Sequence, residues 1–244
     1  MTERLRSRIV TAFTEALGAD LTALYAYGSA VDGSFLVGFS DFDIAAFCRG
    51  RPTLDSYLAI HHLLDDVDLH PFDYLQVKYV DVTASPRHEL VPGAFEVLWG
   101  GLGDESSYVF TGESLRVESE RWLSVIPALA AGDAETWSIA VGSARRRRHV
   151  RLIITRVKPA VRSALTRLGE PPVKAFTASW DALPLMMAGH DEEAASQLAE
   201  LRSLLPPVGP EAEKRAAELG LGLLSRLCPG GTTRAKAPAP RPTD

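Results

Sequence analysis

Two seven-residue apolar runs, LTALYAY (21–27) and DFDIAAF (41–47), constrain the fold most. Each has the length and the aromatic and small apolar content of a buried strand. The first ends in Gly28-Ser29, and the second begins Asp41-Phe42-Asp43. Between them SAVDGS (29–34) can start a short helix at Ser29, and FLVGFS (35–40) reads as a loop. A helix over 4–17 precedes the pair, with apolar Leu5, Ile9, Val10, Phe13 and Leu17 at helical spacing and Gly18 as a stop. A helix over 53–66, opened by Thr53, and a third strand over 72–80 follow. Strands separated by helical segments predict a sheet with helices packed on it.

Beyond about residue 115 no further strand is expected. Helical patterns cover 115–130, 134–168, 172–188, 191–205 and 210–227, with Pro159 expected to kink or restart the second. The reading is α+β: a domain over 1–114 with a twisted mixed sheet and flanking helices, then an all-helical domain over 115–228. The segment 229–244, rich in Gly, Pro and polar residues, is expected to be a disordered tail.

Composition excludes several function classes. A net charge of -5 argues against a general nucleic-acid binder. The charged N-terminus does not read as a signal peptide, and no apolar run approaches the ~18 residues of a membrane span. The two cysteines, Cys48 and Cys228, lack metal-site spacing and suit a reducing, cytoplasmic setting. No GxxxxGK[ST], GxSxG or HExxH pattern occurs.

The chemistry concentrates in the strand ends. In a strand, Asp41 and Asp43 would point the same way, and two carboxylates that close call for a cation. Mg²⁺, which takes one or two carboxylates and completes its shell with substrate phosphates, is the natural neutraliser. Gly28 lets a phosphate approach the backbone, and a helix starting at Ser29 offers free N–H groups to it. Asp73, at the start of the third predicted strand, is the candidate for a third acid, as metal ligand or proton acceptor. Asp32 reads as a support for the phosphate turn or a solvated acid. Asp65, Asp66 and Asp68 read as a solvated helix end, and His61 and His62 as surface or satisfied groups.

The string Tyr27-Gly28-Ser29, eleven spacer residues, then Asp41-Phe42-Asp43-Ile44 resembles the signature of the DNA polymerase β-like nucleotidyltransferase superfamily. Within it, YGSAVDGS followed by SDFDI is most similar to the aminoglycoside nucleotidyltransferases. The resemblance covers about residues 20–80. It implies nucleotide phosphates on Gly28 and Ser29, with Ser40 as a further nucleotide contact. It also implies Mg²⁺ (one or two ions) on Asp41 and Asp43 and a third acid on a later strand, for which Asp73 is the candidate by order and strand position. The implied activity is transfer of a nucleoside monophosphate, AMP from ATP, to a hydroxyl of a small molecule, possibly an aminoglycoside, with pyrophosphate release. A protein or RNA acceptor, or a catalytically silent nucleotide-binding regulator, stays open.

Nine of the 26 Lys and Arg residues fall between 145 and 167, including the run Arg145-Arg146-Arg147-Arg148. At helical pitch, Arg147, Arg151, Lys158 and Arg162 share a stripe. It reads either as a cationic wall for a triphosphate or as a solvated helix face. Trp99 and the segment 109–115 are expected to pack the junction between the two halves.

Overall fold

A computed structural model describes residues 2–139 and 142–228. The expected tail at 229–244 lies outside them. Helix α1 (Glu3–Leu17) starts where the Thr2 hydroxyl accepts the Leu5 amide at 3.2 Å, and buries Leu5, Ile9, Phe13 and Leu17 along one stripe. Strand β1 (Leu21–Tyr27) follows, then the single turn α2 (Ser29–Asp32), strand β2 (Phe42–Cys48), helix α3 (Leu54–Leu64), strand β3 (Leu75–Asp81) and strand β4 (Phe95–Gly100).

The sheet order is β3-β2-β1-β4. β1 runs antiparallel to β2 and to β4, and β2 runs parallel to β3, so the sheet is mixed. The parallel pair requires a crossover, which α3 supplies. Alternation along β2 sorts its side chains. Phe42, Ile44 and Ala46 join α1 in one buried cluster, while Ala45 and Phe47 pack with Tyr25 and Tyr108 on the other face. Asp43 shares that second face, at its open end.

Six helices follow among the described residues: α4 (Gly112–Ser138), α5 (Ser143–Arg167), α6 (Pro172–Thr177), α7 (Ala182–Ala188), α8 (Glu192–Leu204) and α9 (Pro210–Leu227). Their core is built on Ile153, Val157 and Val161 of α5 with Leu198 and Leu223. Helix α9 approaches α5 closely at Gly220, where a Cβ would lie 2.6 Å from Ile153 Cγ2. Gly220→Val should therefore destabilise the chain by about 1–3 kcal/mol, measured by urea unfolding.

Several sequence expectations change. Helix α4 is continuous through 130–134, where a break was expected. Gly132 alone costs only about 1 kcal/mol there, and Asp133 is held by Arg156 at 3.1 Å. Helix α5 passes through Pro159 without restarting. The carbonyl that Pro159 leaves without its helical partner is that of Thr155, and both residues line an open cleft. The single helix expected over 172–188 is two: Ala178 turns extended after the first, and its carbonyl accepts from the Arg162 guanidinium at 2.5 Å.

The third strand begins at Leu75, so Asp73 lies in the turn before it rather than opening it. Its amide donates to the Ser40 carbonyl at 3.0 Å, which ties the two turns together. Strand β4 was not anticipated. Its Trp99 packs with the α1 cluster instead of filling the junction. In the 109–115 segment Thr111 caps α4 through a capping box with Ser114, and Phe110 lines the cleft. Among the described residues no helix is long and apolar enough to cross a membrane.

Candidate active site

The ends of β1 and β2 open into a cleft of ≈ 1170 Å³ whose opposite wall comes from α4, α5 and the α6–α7 region. Gly28, Ser29, Ser40, Asp41 and Asp43 all line it. Gly28 has φ 72° and ψ −144°, and its carbonyl accepts the amides of Val31 and Asp32 at 3.1 Å each to close the α2 turn. Tyr27 pairs with Asp43 across β1 and β2, which brings Gly28 onto the Asp43 carboxylate. A Cβ on Gly28 would stand 2.8 Å from Asp43 Oδ2. The Ser40 hydroxyl accepts the Leu36 amide at 2.8 Å, so it shapes the loop as well as facing the cleft.

Burial, then the neighbouring Asp41 charge, pushes the Asp43 carboxyl up to about 7, against the opposing pull of Lys158. Asp41 is paired with Arg151 of α5, and the same guanidinium reaches Asp73. The Asp73 and Asp41 carboxylates are thus bridged by the Arg151 guanidinium. Asp73 is half-exposed and is not among the residues lining the cleft. The β3 residue in register with Asp43 is Gln76, an amide that does line the cleft.

The stripe on α5 meets the sheet domain at a second point. Lys158 Nζ donates to Ser34 Oγ at 2.6 Å and lies 3.4 Å from Asp32, and Arg162 lies 3.2 Å from the same carboxylate. Asp32 is almost fully buried here, which removes the solvated reading. Burial raises its carboxyl, but Lys158, the Ser34 hydroxyl and amide, and Arg162 outweigh that and hold it below the usual range. Burial, then Arg162, lowers the Lys158 ammonium to about 8. Two cations face one carboxylate, so this corner carries surplus positive charge toward the cleft. Of the remaining arginine run, Arg145, Arg147 and Arg148 are exposed.

The remaining wall was not legible beforehand. It includes Trp122, Phe176 and Trp180, with Glu113 and the ion pairs Lys78–Glu89 and Arg121–Glu118. Trp122, Phe176 and Trp180 fall in stretches whose sequence reads as ordinary amphipathic helix, and no local spacing marked them as cleft rather than core.

Among the described residues no group of three or more His, Cys, Asp or Glu side chains stands together. Two carboxylates, one desolvated and standing where a Cβ on Gly28 would meet it, suit a hard cation that arrives with phosphate oxygens of its own. The donor set therefore fits Mg²⁺ carried by a nucleotide.

The described residues form a four-stranded mixed sheet with flanking helices and a helical C-terminal part, an arrangement shared with a solved nucleotidyltransferase. That structure is the spectinomycin adenyltransferase AAD(9) from Enterococcus faecialis, crystallised with ATP and spectinomycin. The TM-score is 0.56, with 12% sequence identity over 93% of this chain and 99% of that one. No family model matches the chain, and no curated protein matches it in sequence.

Proposed function

We propose that the chain is an Mg²⁺-dependent nucleotidyltransferase that moves AMP from ATP to a hydroxyl of a small cationic acceptor of the aminoglycoside or aminocyclitol type. The observation that carries this reading is the juxtaposition, in one cleft, of Gly28 against the desolvated Asp43, Asp41 beside it, and the Lys158–Arg162 corner opposite. The structural likeness to a protein crystallised with ATP and spectinomycin supports it.

Asp41 and Asp43 would hold the ion, which when bound polarises the phosphates and offsets their charge. The Gly28–Ser29 turn seats a phosphate against the backbone. Lys158 and Arg162 draw the outer phosphates and favour the departing pyrophosphate. An acceptor oxygen forms a bond to the α-phosphorus, the bond from that phosphorus to the bridging oxygen breaks, and pyrophosphate leaves. The acceptor proton passes to solvent. Trp122, Trp180 and Glu113 all line the cleft, and aromatic and acidic side chains suit a cationic ring system.

The test incubates the chain with Mg²⁺, each nucleoside triphosphate and a panel of aminoglycosides plus spectinomycin, with products read by mass. AMP adducts of a panel member are expected with ATP. Label appearing on a protein or RNA instead would reassign the acceptor, and ATP binding without any transfer would leave a silent nucleotide binder. Lys158→Met should raise KM for ATP roughly tenfold or more, the loss of one charged hydrogen bond to phosphate. An unchanged KM would remove the cationic corner from triphosphate binding.

A further inference from the structure

Arg151 sits where the two halves of the molecule meet, and its contacts converge on a single acid of the site. One arm of its guanidinium donates to Asp41 Oδ1 and the other to Asp73 Oδ2. Its Cζ lies over the Tyr74 ring, 4.4 Å from the centroid, and over the Phe39 ring at 5.5 Å. The side chain is only 14% exposed. A planar fork held by two carboxylates and two rings has little freedom left, a geometry an ammonium could not reproduce.

Neither Arg151 nor Asp73 is among the residues lining the cleft, whereas Asp41 is. The clamp therefore grips Asp41 from behind, through Oδ1. Asp73 is further anchored by its amide on the Ser40 carbonyl, one residue before Asp41. Arg151 also lies two helical turns before Lys158, on the same stripe of α5 that supplies the Lys158–Arg162 corner. One rigid helix thus fixes both the acid of the metal site and the cations of the phosphate site.

We propose that Arg151 is a positioning residue that sets the Asp41 carboxylate for the metal, and that Asp73 acts only through Arg151, as its anchor, and is not itself a metal ligand. The inference rests on the metal reading above. Hydrogen-bond partners of ligating carboxylates commonly contribute 10–100-fold to metal affinity.

The test follows Mn²⁺ binding by electron paramagnetic resonance in the presence of α,β-methylene ATP, with a thermal melt of each variant to show that it is folded. Arg151→Met should weaken Mn²⁺ binding by about tenfold or more. Arg151→Lys should recover part of that loss, since an ammonium can reach one carboxylate. Asp73→Asn should weaken binding by less, and should add nothing in the Arg151→Met background. A further loss in that double variant would make Asp73 a ligand in its own right and overturn the proposal. Tighter binding in Arg151→Met would show the guanidinium competing with the metal and overturn it too. So would unchanged binding with a lowered melting temperature, which is the mark of a purely structural tie. Wild-type protein that binds no Mn²⁺ would defeat the metal reading itself, before any substitution, and the clamp's role with it.

Discussion

Asp43→Asn should abolish nucleotide transfer while leaving the chain folded and, above neutral pH, more resistant to heat than the wild type. On the proposed reading, loss of one of the two carboxylates that would hold the metal should remove several kcal/mol of charge stabilisation, roughly 10³-fold or more in rate. The stability half of the prediction comes from the position of Asp43. Its carboxyl is raised from 3.8 to about 7 by burial and by Asp41. A group whose pKa is higher in the folded chain than in the unfolded one favours folding most below its ordinary value, and that contribution is lost as pH rises through the folded value. The wild-type chain, in chelator, should therefore lose stability steadily between about pH 4 and pH 7. The asparagine variant has no carboxyl to titrate and should lack that decline. Melting curves across this window, paired with transfer rates at saturating Mg²⁺, check both halves. Parallel stability profiles would show that Asp43 is not desolvated, and retained transfer would remove it from the metal site.

Local pattern made the centre of the molecule legible, and distance in sequence hid its edges. β1 and β2 were readable because each is an apolar run buried on both faces, bounded by Gly28 on one side and the Arg49–Gly50 break on the other. β4 was not, because it is a six-residue edge strand holding Glu96 and Gly100, and its partner β1 lies about seventy residues earlier. Helical pitch placed Arg151, Lys158 and Arg162 on one stripe of α5. It could not say that this stripe meets Asp41 and Asp32, which are 110 and 126 residues from their partners Arg151 and Lys158. Asp73 shows the limit most clearly. Its approach to the pair depends on a turn, a backbone bond to Ser40 and an arginine from the other half of the chain. None of these leaves a mark in the residues around position 73.

Gly28→Ala should cost about 10²-fold in transfer and lower the melting temperature by several degrees, whereas Gly33→Ala should lower stability and leave transfer within a few-fold of wild type. Both glycines have positive φ, 72° and 73°, so both substitutions place an L side chain in a region it disfavours, at about 1–3 kcal/mol. Only at Gly28 does the new methyl meet the site, 2.8 Å from Asp43 Oδ2, while at Gly33 nothing lies within 4 Å. The Gly28 variant must therefore push the carboxylate aside or distort the turn proposed to seat the phosphate. A displacement of order 1 Å at reacting groups is enough for a loss of about 10²-fold. Comparing the two variants separates backbone strain, which they share, from close approach, which they do not. Equal loss of transfer in both would assign the requirement at position 28 to turn conformation alone. Wild-type turnover in Gly28→Ala would mean that no phosphate needs the space beside Asp43. Loss confined to Gly28 would show that the glycine is required because the backbone, the carboxylate and the phosphate converge on one point.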